Sequence, residues 1–132
     1  MTPGPVKALV VTGRPGVAGA LASALEASGM ECDVAPDADA ALRATDADPP
    51  DAVVLDLGMP ALDGWLLLAQ IGARAGRPRL IVCSAPTKID EQQRAFDLGA
   101  DAFAPGPFDP HYVARTVREV VERDRAPMPE RP

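Results

Sequence analysis

Residues 10–25, VVTGRPGVAGALASAL, pass from an apolar segment through Gly13, Gly16 and Gly19, spaced three apart, into a helical pattern. Such an order suits phosphate chemistry. A glycine-rich turn between a strand and a helix lets free helix N–H groups hold a phosphate or pyrophosphate. Pro15 removes one N–H from this loop. Other reactive residue types are sparse. Cys32 and Cys83 each sit alone in a strand-like run, without the C-x-x-C spacing of a zinc site. They read as small buried hydrophobes. His111 is the only histidine, has no partners for a metal or catalytic centre, and reads as a surface residue. The acidic segment 36–51, PDADAALRATDADPPD, contains Asp-x-Asp pairs. A calcium loop counted from Asp37 needs Gly sixth and Glu twelfth; Leu42 and Asp48 stand there instead. The segment reads as a charged helix followed by a loop.

These residues must be held by a scaffold. Five short apolar runs appear in order: KALVV (7–11), CDVA (32–35), AVVLD (52–56), RLIVCS (79–84) and AFA (102–104). Continuous apolar runs of this length suit strands covered on both faces, the signature of a parallel sheet. Helical patterns fill the gaps. They place Val17, Leu21, Ala24 and Leu25 on one stripe, then Ala41 and Leu42, then Leu67, Leu68 and Ile71. Ile89, Ala95, Phe96 and Leu98 follow, then Val113, Val117, Val120 and Val121. Asp109 and Pro110 start the last helix; Gly29 and Gly99 stop two others. Five βα units with right-handed crossovers predict an α/β doubly wound sheet. Sites in such sheets lie at the carboxyl ends of the strands, here residues 12–15, 36–37, 56–60, 84–87 and 104–107.

The 132 residues suffice for one domain, read as residues 1–125, with a Pro-rich tail or linker start over 126–132. No apolar run approaches membrane-spanning length, and the N-terminus lacks a signal-peptide pattern, so a cytoplasmic location is expected. A formal charge of −6 repels a phosphate backbone, which argues against direct nucleic-acid binding.

The segment 53–65, VVLDLGMPALDGW, is more specific. A strand ending in Asp, then Met-Pro, then Asp-Gly opening a helix, resembles the receiver domains of two-component response regulators, the CheY-like family. GMECDVAPDADAAL (29–42), IVCSA (81–85) and LGADAFAPGPF (98–108) extend the likeness over about residues 6–124. The resemblance implies a flavodoxin-like fold with strand order 2-1-3-4-5. It places Asp56 at the phosphoacceptor position and Ser84 and Phe103 at the switch positions. It also implies a sensor kinase or downstream effector as protein partner. A face of the fourth helix, fifth strand and fifth helix, residues 88–125, would be available for a partner or a second copy.

Two departures from the family pattern bear on chemistry. The acidic pair that helps hold Mg²⁺ is replaced by Thr12 and Gly13, and the Lys before the Pro of the fifth loop by Gly106. Mg²⁺ is usually held by one or two carboxylates plus phosphate, and Asp56 alone is a weak ligand. The expectation is therefore an atypical, non-enzymatic receiver with no cofactor and impaired or absent Mg²⁺-dependent phosphorylation, working through protein contacts. Arg14, next to Gly13 in the adjacent loop, is a candidate counter-charge for Asp56, the alternative being a solvated loop arginine. The alternative is a small-molecule or nucleotide-binding regulatory domain using the Gly13/Gly16/Gly19 loop and the pocket at Asp56. TGRPGVAG does resemble the fingerprint of extended short-chain dehydrogenases. Against it, Asp37 is the nearest acid to the end of the second strand, and Tyr112 is followed four residues on by Thr116 rather than Lys. Trp65 and Leu66 fall beside the buried stripe of their helix and read either as a partner surface or as a partly buried helix edge.

Overall fold

The computed structural model describes residues 4–58, 61–84, 89–105 and 109–125. Five strands and five helices alternate: β1 Lys7–Val11, α1 Pro15–Ala27, β2 Glu31–Ala35, α2 Ala38–Ala47, β3 Ala52–Asp56, α3 Ala61–Gly72, β4 Arg79–Ser84, α4 Ile89–Asp97, β5 Ala102–Pro105 and α5 Pro110–Arg125. The strands form one parallel sheet in the order β2-β1-β3-β4-β5, the doubly wound arrangement expected from the alternating pattern. Gly106 and the tail 126–132 lie outside the described residues.

Alternation of side chains along the strands divides the interior into two cores. Val10, Val54, Ile81 and Cys83 face α1 and α5, where Leu21, Leu25, Val113 and Val117 meet them. Leu9, Val53, Leu55 and Val82 face the other way, onto Leu67, Leu68 and Ile71 of α3 and Ala95 of α4. Central β3 is buried at every position. Edge strand β2 is not: Glu31, Asp33 and Val34 are exposed, because only one neighbour shields an edge.

The expected end signals operate as local physics requires. Asp109 accepts from the His111 N–H at 2.9 Å at the start of α5, and Pro110 opens the helix without wasting a donor. A further cap, not expected from the sequence, is Asp37, which accepts from the Ala40 N–H at 2.8 Å at the start of α2. Gly29 and Gly99 adopt φ of 84° and 117°. Each stands in a paired C-terminal closure: Met30 N–H to Leu25 C=O with Gly29 N–H to Glu26 C=O, and Ala100 N–H to Ala95 C=O with Gly99 N–H to Phe96 C=O.

The stripe expected on α4 needs correction. Ala95 is buried and Leu98 half-buried, but Ile89 and Phe96 are 83% and 44% exposed. Seven residues apart, they share one side of the helix, and that side turns away from the sheet. Trp65 packs partly against the core while Leu66 is exposed, and the Arg94 guanidinium lies 4.7 Å from the Trp65 ring centre.

The C-terminal ends of α3 and α4 meet backbone to backbone. A Cβ at Gly72 would lie 2.0 Å from the Leu98 carbonyl oxygen, and one at Gly99 3.0 Å from the Gly72 Cα. Neither obstacle is a side chain that can swing aside. Gly72→Ala is therefore expected to cost about 3 kcal/mol or slightly more, the upper end of overpacking, measured by urea unfolding; a loss below about 0.5 kcal/mol would show that the two helix ends separate freely.

Candidate functional site

Asp56 is the last residue of β3, the most buried strand, and its side chain is only 1% exposed. A carboxylate at such depth requires donors for its lone pairs, and four converge on it. Three come from two residues just past the end of β1, the neighbouring strand in the sheet. Thr12, itself 2% exposed, donates its hydroxyl to Oδ2 at 2.7 Å. Arg14 lies across both oxygens, with Nε donating to Oδ2 and Nη2 to Oδ1, each at 2.9 Å. Nη2 also approaches Oδ2 to 2.8 Å. The fourth donor is local: the Gly58 N–H reaches Oδ1 at 2.8 Å.

The loop carrying Arg14 is itself ordered by this arrangement. The Thr12 hydroxyl accepts the Arg14 backbone N–H at 3.1 Å while donating onward to Asp56. Pro15 then starts α1, so the chain turns sharply between the end of β1 and the helix. The Arg14 side chain remains 49% exposed. One end of the pair is thus buried and the other open to solvent, a flat two-pronged contact of the kind that makes Arg–carboxylate pairs geometrically selective.

The sequence-predicted residues divide. Thr12, Arg14 and Asp56 come together in one cluster. Gly13 adjoins it with little room beside it, since a Cβ there would lie 3.3 Å from the Pro36 carbonyl oxygen. Phe103 of β5 is half-buried, packed on the α3–α4 side of the sheet. Ser84 ends β4, in register with Pro105; its side chain and Gly106 lie outside the described residues. Gly16 and Gly19 fall within α1, where a Cβ on either would meet nothing within 4 Å, so close approach does not require glycine at either position. Asp37 is engaged in capping α2. His111 is exposed. Gly58 carries no sequence pattern that singles it out, and only the folded geometry brings it to the site.

Both cysteines are free thiols; Cys83 is buried as expected, but Cys32, on the edge strand, is only half-buried. Burial, reinforced by the Asp56 charge and opposed by Arg14, pushes the Cys83 thiol up to about 12. Burial with the charges of Glu26 and Asp33 pushes Cys32 up to about 11.

For a divalent ion the donor set is poor. Among the described residues no three His, Cys, Asp or Glu side chains gather to hold a metal. Both oxygens of Asp56 are already covered, and Thr12 and Gly13 add no carboxylate. Among the described residues Mg²⁺ would find one carboxylate, Asp56, with both its oxygens already engaged.

A family model described as the response regulator receiver domain matches residues 8–118. The response regulator MprA of Mycolicibacterium vanbaalenii is 33% identical over 119 residues, covering 90% of this chain and 52% of that protein. The transcriptional regulatory protein KdpE of Mycobacterium tuberculosis is 34% identical over 118 residues, covering 89% and 52%. The chain thus spans about half the length of the curated relatives it matches. Among solved structures, the Francisella response regulator 1452 receiver domain superposes with a TM-score of 0.83 at 25% identity, covering 90% of this chain and 98% of that one. A CheY-like receiver domain protein from Methanospirillum hungatei shares the fold with a TM-score of 0.84 at 18% identity, covering 92% and 98%.

Two outcomes are expected from the site. Arg14→Ala should cost about 1–2 kcal/mol in urea unfolding, because it strips a buried carboxylate of charged donors while water reaches the open side. The same substitution in an Asp56→Asn background should cost much less; equal costs in both would mean that the pair is energetically idle. Iodoacetamide at pH 8 should alkylate Cys32 about 10²-fold more slowly than an ordinary thiol, since little thiolate forms below its raised titration. Labelling should speed up as pH rises toward 11, and labelling at the ordinary rate at pH 8 would contradict the assigned environment.

Proposed function

Because this chain belongs to the response regulator receiver domain family of two-component signalling, we propose that it works as a cytoplasmic receiver that signals through protein contacts without a Mg²⁺-dependent phosphorylation cycle. The carrying observation is the two-pronged Arg14–Asp56 contact, with Nε and Nη2 each 2.9 Å from a carboxylate oxygen. A carboxylate that attacks phosphorus needs an oxygen lone pair free to form the new bond. Here Thr12, Arg14 and Gly58 take up both oxygens. Phosphoryl transfer also relies on positive groups to stabilise charge on the moving oxygens. Losing one preorganised stabiliser typically lowers rate by about 10²–10³, and this chain has Gly106 where the family has its Lys, besides Thr12 and Gly13 for the acidic pair. Asp56 in this reading is a structural anion whose counter-charge is Arg14.

The partner surface follows from what the fold leaves uncovered. β5 is an edge strand with α4 and α5 packed on it. Ile89 and Phe96 on α4 and Tyr112 on α5 are large exposed apolar side chains, at 83%, 44% and 47%. Scattered exposed apolar residues are ordinary, but three on the two helices flanking one open edge favour this face for a sensor kinase, an effector or a second copy.

Two measurements test the reading. Incubation with acetyl phosphate and Mg²⁺ should leave intact mass and amide NMR spectrum unchanged. Gain of one phosphoryl group, abolished by Asp56→Asn, would establish a working phospho-switch. For the surface, Phe96→Asp should leave urea stability within about 0.5 kcal/mol of wild type, as exposed substitutions do, while weakening any self-association seen in sedimentation velocity; association unaffected by the substitution would place the contact elsewhere.

A further inference from the structure

Gly58 stands two residues beyond Asp56, at the start of the loop between β3 and α3. Its backbone does not call for glycine: among the described residues the positive-φ glycines are Gly29, Gly76 and Gly99. What glycine supplies here is space. A Cβ at position 58 would lie 2.9 Å from Arg14 Nη2, 2.9 Å from Asp56 Oδ1 and 3.3 Å from Arg14 Cζ. Carbon atoms in contact settle near 3.5–4.0 Å, so these groups cannot coexist as placed with any larger residue. The obstructing atoms are the tips of two side chains. At Gly72, by contrast, the obstacle is backbone. A methyl group at 58 would therefore leave the fold intact and move the ion pair.

We infer that Gly58 is the positioning residue of the Asp56 site: the space at its Cα seats the Arg14 guanidinium flat against both carboxylate oxygens, while its N–H fixes Oδ1, and this makes Arg14 the built-in cation of the site. The inference rests on the reading that Arg14 is the counter-charge of Asp56, and goes beyond it by naming what holds Arg14 in place. It also explains the poor fit for a divalent ion from the side of the protein. Any ion approaching Asp56 competes with a guanidinium tethered in the same chain, whose effective concentration is high because its loop is short and ordered. Restoring carboxylates at positions 12 and 13 would remove the Thr12 hydrogen bond but not the room at 58 that seats Arg14.

The test is the Arg14 Nε–Hε signal in ¹⁵N NMR of the full chain, combined with a double-mutant cycle. In wild type the signal should be resolved and protected from solvent exchange. Gly58→Ala should retain the amide spectrum of the fold while Arg14 Nε–Hε exchanges at least about tenfold faster. In urea unfolding, Gly58→Ala should lower stability in wild type and have little further effect once Arg14→Ala is present. A protected signal that survives Gly58→Ala, or an equal stability loss in both backgrounds, would overturn the role of Gly58 alone. An Arg14 Nε–Hε already unprotected in wild type would overturn the underlying ion-pair reading instead. If Gly58→Ala does not fold, the Arg14→Ala/Gly58→Ala double variant decides. Folding of the double variant supports the guanidinium as the obstacle, and its failure to fold shows that the methyl group collides elsewhere.

Discussion

A carboxylate that is 1% exposed at the end of a fully buried strand is the constraint around which this end of the molecule is organised. Desolvating an anion costs several kcal/mol unless charged or hydrogen-bonding partners replace the lost water. Asp56 sits at the carboxyl edge of the sheet, so its partners come from loops that leave that edge. The loop after β1 supplies Thr12 and Arg14, and the loop after β3 supplies the Gly58 N–H. Two loops that would otherwise be independent are thereby tied together through one side chain. The order β2-β1-β3-β4-β5 makes this possible, because it sets β1 beside β3 although a strand and two helices separate them along the chain.

The pair has an uneven environment that matters for its chemistry. Asp56 is enclosed, whereas Arg14 is half open to water. The open side keeps the guanidinium solvated and lowers the cost of burying the pair. The enclosed side gives the two prongs a fixed target. Such a device is short in reach, and it needs free space at the next backbone turn. That space exists at Gly58, where no Cβ projects toward the guanidinium. The surrounding core supplies the rigidity: Val54 and Leu55 precede Asp56 in β3, and each is locked into a different one of the two apolar layers.

Much of the architecture was legible from residue order alone. Apolar runs marked all five strands to within a residue at every end, because a parallel sheet covered on both faces demands continuous apolar segments. Asp109, Pro110, Gly29 and Gly99 marked helix ends for reasons confined to one turn of chain. Where periodicity misled, the cause was again tertiary. Ile89 and Phe96 belong to a nine-residue helix with one buried residue, Ala95, and so short a stripe does not reveal which side meets the sheet. The open edge of β2 was not readable from its own residues, since edge or centre is a property of strand order; the order implied by the family resemblance placed it there.

For the candidate site, the sequence named positions in two ways. That Asp56 closes an apolar strand and Arg14 stands next to the turn depends only on neighbours in the chain. That Thr12, Gly13 and Gly106 stand where the family pattern has charged residues comes from the family resemblance. Which groups touch depended on packing. Thr12 and Asp56 are 44 residues apart in sequence and 2.7 Å apart between side-chain oxygens, a proximity created by parallel pairing of β1 with β3. Gly58 acquired its place the same way: its own sequence context is silent, and only when Arg14 arrives from another strand does the lack of a side chain become the feature that gives the ion pair its shape.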